Sequence, residues 1–381
     1  MKWPELNCGY VALVDSAPLI IAHELEFAVE EGVALNLVRQ PSWSALRDML
    51  ALGHLDAAQM LSPMPIAMSL GLGSLSAPID ALMVLSANGT AFGVSNALAA
   101  ELGELTFGDP GAILTAIRQR TSATLRIGLP FHHSMHGLLL SYWTSTEPDV
   151  QIERVIVPPS RMADAVAEGH VDAFWVGEPW GTVAVERGIA QLLMVGRDVW
   201  QFAPEKVLAA RREWIAQHEF EVRALTRAVY KAAHWLDAPQ NKQLAVEILS
   251  RSNHLDLSVD LIDPAVTGQI TPKKGEGPIE IERFLQFNDF GANFPWRSQA
   301  AWIAQQLGSE AEDIERAKNC FRSDLYRTNL DGAGADYPIA SEKVEGSLHA
   351  TDKVESKNGQ MILAPDAFFD GRTFDFSGLS A

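Results

Sequence analysis

The chain is predicted to be an α/β protein of two like-built lobes with a ligand cleft between them, and three observations predict it. A twenty-residue pattern is written twice at a constant offset of 116, as SALRDMLALGHLDAAQMLSP (Ser44 to Pro63) and SRMADAVAEGHVDAFWVGEP (Ser160 to Pro179). Eight positions are identical: Ser44/Ser160, Asp48/Asp164, Ala51/Ala167, Gly53/Gly169, His54/His170, Asp56/Asp172, Ala57/Ala173 and Pro63/Pro179. Composition alone gives roughly one or two. The same offset aligns YVALVDSAPLII (Tyr10 to Ile21) with RIGLPFHHSMHG (Arg126 to Gly137), each reading as an apolar strand, a loop and a helix. Around these landmarks strands alternate with helices, as in a βα sheet. A period this long marks two lobes and not a solenoid.

Each copy of the pattern reads as a helix opened by Ser, closed by Gly53 or Gly169 at the positive φ of a C-cap, and followed by a buried strand, Leu55 to Leu61 or Val171 to Val176. Before the first copy come a strand from Cys8 to Val14, a helix from about Pro18 to Glu31 and a strand from Leu35 to Val38; after it comes Ala81 to Ser86. Asn88-Gly89-Thr90 is a turn signal and the expected crossing between lobes. The second lobe holds strands at Leu125 to Leu129, Ile152 to Val157 and Val171 to Val176, and the extended stretch Glu205 to Ala210 suits a return crossing. The expected division is residues 1–90 with 206–328 for one lobe, 91–205 for the other, and 329–381 as a tail. Beyond the return, Val222, Leu225, Val229, Ala232 and Leu236 repeat at 3,4,3,4 spacing, which predicts an amphipathic helix over Glu219 to Leu236. Another helix is expected near Ala300 to Gln306. From Asn329 onward Gly, Ser, Asp and Lys dominate, so the tail is expected to be extended and wrapping, or partly disordered.

With 381 residues and 47% hydrophobic content the chain can bury a large core. A formal charge of −18 argues against direct nucleic-acid binding, which needs a basic face. Two cysteines, Cys8 and Cys320, provide neither a disulfide framework nor a Cys-rich metal site. Glu5 and Asn7 come where a secretory signal would be building its apolar run, and no window approaches a membrane span, so the expectation is a cytoplasmic protein without membrane contact.

Ligands of open α/β sheets bind beyond the strand C-termini. That directs attention to Val14 to Pro18, Ser62 to Met64, Pro130 to His136 and Gly177 to Trp180. In PFHHSMH, the adjacent His132 and His133 are poorly spaced to share a metal ion, and no metal or cofactor is expected. His136 falls on the opening turn of a helix, where it either donates to a small anion or caps the helix. Trp43 and Trp180 offer planar walls or core. Glu178, at a strand end, requires a basic or amide partner if buried. Lys206 is a lone cation on the proposed return crossing. His54 and His170, kept in both copies, are expected to be structural. No GK[ST] phosphate loop and no G-x-S-x-G elbow occurs, so the pattern favours binding over catalysis and the chain is not expected to be an enzyme.

Over about Asn7 to Gln306 the chain resembles the nitrate- and bicarbonate-binding branch of the type II periplasmic binding proteins. The resemblance rests on PLIIAHE (Pro18 to Glu24), SWSALRD (Ser42 to Asp48), HLDAAQMLSPMP (His54 to Pro65), NGT (Asn88 to Thr90), PFHHSMH, VGEPW and PEKV (Pro204 to Val207). It implies the type II fold and an anion met between the lobes by Trp43, Thr90, His136 and Lys206, with Glu178 beside them. Thr90 departs from the family pattern, which often has Gln there, and this shortens its reach. The bicarbonate-binding relatives look to carry a carboxylate where Lys206 stands, so Lys and His point to nitrate or nitrite. Without an export signal, the chain looks like the cytoplasmic NasS-type nitrate/nitrite sensors, which hold an RNA-binding antiterminator of the NasT type inactive until the anion binds. The alternative is the substrate-binding protein of an ABC-type nitrate, nitrite or bicarbonate importer. A relative of thiamine-pyrimidine synthase, with the same fold, would need a Cys-rich iron motif that two cysteines cannot supply.

Overall fold

A computed structural model describes residues 3–73, 75–119 and 124–378. Two sheets are built from β1 (Glu5–Val11), β2 (Ala34–Gln40), β3 (Ala57–Leu61), β4 (Ile79–Asn88), β5 (Thr90–Ser95), β6 (Leu125–Leu129), β7 (Ile152–Ile156), β8 (Ala173–Gly177), β9 (Ala190–Val195) and β10 (Pro204–Arg211). The first runs β4-β10-β3-β1-β2, with the short strand Leu285–Gln286 outside β4, and the second runs β9-β5-β8-β6-β7. In each sheet three strands are parallel, β1, β2 and β3 in the first and β6, β7 and β8 in the second, and one antiparallel strand, β10 or β5, is inserted beside the repeat strand. The two orders are therefore the same order, and the expected pair of α/β lobes is what the chain forms.

The repeat strands β3 and β8 are buried along their whole length. Both copies close their helix identically: Gly53 N–H donates to Leu50 O and His54 N–H to Met49 O, while Gly169 N–H donates to Val166 O and His170 N–H to Ala165 O. This is the Schellman arrangement, with φ of 82° at Gly53 and 69° at Gly169. His54 and His170 serve through their backbones, since both imidazoles are exposed. Asp56 and Asp172 hold the neighbouring strand, accepting from Asn7 N–H at 2.8 Å and Arg126 N–H at 3.0 Å.

That last pair corrects the predicted alignment of the lobe openings. Gly9 pairs with Ala58 and Gly128 with Phe174, so β1 and β6 are related by 119 residues while the repeat strands are related by 116. Asn7, not Tyr10, corresponds to Arg126. Apolar runs carry no internal landmark, so hydrophobic patterning alone cannot detect a three-residue slip. Three further expectations change. The helix expected over Pro18 to Glu31 is two, Ala17–Glu24 and Phe27–Glu30, broken at Glu26, whose φ of 59° is left-handed. The segment taken as a return crossing is β10, a strand inside the first sheet; the passage between sheets lies just before it, at Val199 to Ala203. β5 and β9 have no counterpart among the expected strands.

The outward crossing is where NGT placed it. Asn88 (φ 63°) and Gly89 (φ 84°) take left-handed conformations, which Asn and Gly adopt most readily. Asn88 also stitches the two crossings together: its Nδ2 donates to Gln201 O at 2.9 Å and its Oδ1 accepts from Ala203 N–H at 3.1 Å. The expected amphipathic helix spans Glu219–Asp237, and the helix near Ala300 spans Arg297–Gln306. The tail wraps the body and carries a two-stranded hairpin, Asp352–Ser356 with Gly359–Leu363. Its Phe368 stacks on Trp200 at 4.8 Å. Residues 379–381 of the expected tail lie outside the described residues. No helix among the described residues is long and apolar enough to cross a membrane.

Candidate functional site

Lys206, three residues into β10, is 0% exposed, and its Nζ lies 2.7 Å from Asp15 Oδ2 and 2.7 Å from Glu205 Oε1. Asp15 belongs to the turn that follows β1. Neighbours on a strand normally face opposite sides, but β10 shifts register against β4 between Pro204 and Lys206. Such an irregularity re-aims side chains, and here both Glu205 and Lys206 reach one point. Gln59 of β3 donates to Asp15 Oδ1 and accepts from Val11 N–H, which fixes the carboxylate. The Trp43 ring stands 5.4 Å from Lys206 Nζ, a cation–π distance.

The second lobe enters through His136, whose Nδ1 is 3.4 Å from Glu205 Oε1. His136 is the second residue of the Met135–Thr144 helix, and Ser134 is that helix's cap, its Oγ accepting from Gly137 N–H at 3.1 Å. Capping is thus taken by Ser134, and neither ring nitrogen of His136 makes a hydrogen bond of normal geometry. Trp43 Nε1, Ser62 Oγ and Ser86 Oγ are likewise buried without a hydrogen-bond partner. Ser86 faces Lys206 across the ladder, and Ser62 N–H donates to Glu205 O. Buried donors without acceptors are costly, and a ligand that brings acceptors satisfies several at once.

Charge in this cluster is distributed by burial. Burial alone would lower Lys206, but Asp15 and Glu205 outweigh it and hold the ammonium above its usual 10.5. Burial raises Asp15 and pushes Glu205 up to about 7, against the pull of Lys206. Burial, with the Lys206 charge next, holds His136 well below 6.5, so the imidazole is neutral at pH 7.

Of the residues expected from sequence, the structure brings Trp43, His136 and Lys206 together. Thr90 is one place removed. Its Oγ accepts from Trp175 Nε1 at 3.0 Å, and it stands opposite Gly177, where a Cβ would lie 3.5 Å from Asp15 Oδ2 and 3.9 Å from His136 Nε2. Glu178 is buried, but its side chain turns to its own helix: Oε2 accepts from Thr182 N–H at 3.0 Å. Its required partner is therefore a backbone amide, and burial pushes the carboxyl up to about 7. Glu178 ties the lobes through its backbone, its O accepting from Val14 N–H and its N–H donating to Gly89 O. His132 is exposed, and His133 is half-buried with its ring 3.3 Å from where a Cβ on Gly73 would sit. Among the described residues no three His, Cys, Asp or Glu side chains are grouped to hold a metal ion.

Sequence reasoning missed Asp15, Gln59 and Glu205 as members of the cluster. Each lies inside a stretch already singled out, and Asp15 had its own signal: a carboxylate that interrupts a buried apolar run must have a partner.

Comparison with known proteins gives a consistent picture. The model of the NMT1-like family matches residues 2–250. The nitrate import ATP-binding protein NrtC of Synechocystis sp. is 34% identical over 338 residues, 84% of this chain and 49% of that protein. The nitrate/nitrite binding protein NrtA of Synechococcus elongatus is 28% identical over 388 residues, 97% of this chain and 83% of that protein. The chain thus spans about half the length of NrtC. The crystal structure of the periplasmic nitrate-binding protein NrtA from a Synechocystis strain superposes over 99% of this chain and 97% of that one, with a TM-score of 0.85 at 24% identity. The two share the periplasmic-binding-protein fold.

Proposed function

The chain belongs to the NMT1-like family, and on that premise we propose that it is a ligand-binding protein, not an enzyme, whose two lobes close on one nitrate or nitrite ion. The observation that carries this reading is the meeting of a fully buried Lys206 from one sheet with His136 from the other through Glu205, with unpartnered buried groups on Trp43, beside the ammonium, and on Ser62 and Ser86, whose backbones pair with Glu205 and Lys206. Nitrate and nitrite offer only acceptors, which the unpartnered Trp43 Nε1 and the Ser62 and Ser86 hydroxyls can meet with donors. Thr90 adds a hydroxyl at its edge. The names of NrtA and NrtC support the choice of anion. Every central group is at most 2% exposed, so the ion reaches them only when the lobes part.

The finer reading is a cytoplasmic sensor that controls an RNA-binding antiterminator partner of the NasT type in nitrate assimilation. The net charge of −18 suits a chain that leaves RNA contact to its partner. For such a switch the ion must favour the closed form over the partner-bound form by a few kcal/mol, about the scale a population shift requires. The importer reading, a substrate-binding component of an ABC transporter, is favoured by what NrtC and NrtA are named for.

Calorimetry with nitrate, nitrite and bicarbonate side by side tests the ligand. Binding by the intact chain and its loss in Lys206→Ala are expected; unchanged affinity in that variant defeats the site. A pull-down of the antiterminator with and without nitrate separates the two roles. Release by nitrate is the sensor's outcome, and indifference leaves the importer reading standing.

A further inference from the structure

We propose that Glu205 is itself a ligand-binding residue, meeting the anion in its protonated form, so that each ion enters the cluster together with one proton. This rests on the reading that the site binds nitrate or nitrite. Lys206 supplies one positive charge, and Asp15 and Glu205 stand on it at 2.7 Å each. With both carboxylates ionised the cluster is already negative, and a monoanion added to groups at most 2% exposed would deepen that charge where no water screens it.

The two carboxylates are not equally able to yield. Asp15 Oδ1 accepts from Gln59 Nε2 while its Oδ2 is ion-paired with Lys206 Nζ, so it keeps a donor of its own besides the shared cation. Glu205 has Lys206 as its hydrogen-bond donor, with His136 Nδ1 at 3.4 Å. The other elements packed against it bring neutral groups, Ser62 on the turn after β3, Ser86 on β4 and Trp43 on the Trp43–Ala51 helix, while the Glu178 carboxylate turns to its own helix. His136 is a poor proton acceptor because its burial, and next the charge of Lys206, disfavour the imidazolium. A protonated Glu205 changes from a repelling acceptor to an O–H donor, which is what an ion with only acceptor oxygens needs. The proton comes from solvent, and the carboxyl already sits close to neutral pH before any ion arrives.

The test is titration calorimetry of nitrate into the full chain at pH 6, 7, 8 and 9, in buffer pairs of different ionisation enthalpy, which counts protons taken up per ion. Expected are uptake approaching one proton at pH 8, and a Kd that rises about tenfold per pH unit above the range in which free Glu205 titrates. Glu205→Gln keeps an N–H donor and should bind with no uptake and a flat pH profile. Nitrate binding without uptake in the intact chain overturns the inference and leaves the binding reading intact. So does uptake that survives in Glu205→Gln but disappears in His136→Gln or Glu178→Gln. If Glu205→Gln does not fold, by its thermal melt, the proton count of the intact chain decides alone. Failure of both nitrate and nitrite to bind at every pH defeats the binding reading itself.

Discussion

The two sheets share one strand order, yet the positions related by register carry opposite chemistry. Lys206 pairs with Leu61 as Thr90 pairs with Gly177, and Glu205 accepts from Ser62 N–H as Gly89 accepts from Glu178 N–H. Gln59 corresponds to Trp175 by the same offset. In the first lobe these places hold a cation, a carboxylate and an amide that converge with Asp15. In the second they hold a hydroxyl, a glycine and an indole that satisfy one another through the Trp175–Thr90 hydrogen bond. A duplicated backbone thus sets where side chains meet, and the divergence of a few residues puts charge on one side and a neutral face, closed by His136, on the other.

The largest test of this asymmetry is Lys206→Ala against Thr90→Ala. Removing Lys206 leaves two buried carboxylates without their cation, which should cost about 3–5 kcal/mol in urea unfolding at pH 8. Thr90→Ala should cost about 1 kcal/mol, the loss of one neutral hydrogen bond. Equal losses would mean that the two places are not chemically distinct.

Next in size is pH dependence at Glu178, where the first lobe has Ser62. Its folded value, about 7, lies above the unfolded 4.5. The folded state therefore holds the proton more tightly, and stability falls as pH rises between those values, by roughly 3 kcal/mol for this group. Urea melts at pH 5, 6, 7 and 8 should show Glu178→Gln losing that much of the decline, while Ser62→Ala keeps all of it.

Asn88→Ala comes third. It removes both side-chain hydrogen bonds to the return crossing and leaves a residue less suited to positive φ, for about 2 kcal/mol by thermal melt. The smallest effect is a test of sameness: Gly53→Ala and Gly169→Ala should each cost about 1 kcal/mol, because both take left-handed φ with no side-chain clash closer than 3.6 Å. A difference between them would show that the caps are not equivalent.

The scaffold was legible because its signals are local. Gly53 and Gly169 mark helix ends, Asn88-Gly89 marks the crossing, and Leu125–Leu129 is a mostly apolar stretch, broken by Arg126, whose bounds match the strand. Glu26 was not legible, since nothing in a glutamate announces left-handed backbone. Nor was the pairing of Glu205–Ala210 between β3 and β4, although residues from 206 on were expected in that lobe, because a strand's neighbours are chosen by the whole fold. Within the site Lys206 stood out as a cation in an apolar stretch. Its carboxylates did not: Asp15 is 191 positions away, and Glu205, though adjacent, would face the other side of a regular strand and reaches Lys206 only through the register shift in β10.

Phe368 of the tail lies 4.8 Å from the Trp200 ring and 5.6 Å from the Trp302 ring, and two residues on Asp370 accepts from the Tyr142 hydroxyl. Trp200 stands on the return crossing, and Tyr142 on the helix that carries His136. The protein therefore carries its own optical gauge. Emission from the Trp200 and Trp302 indoles reports how the tail is seated, and the seat includes the return crossing and the helix that carries His136.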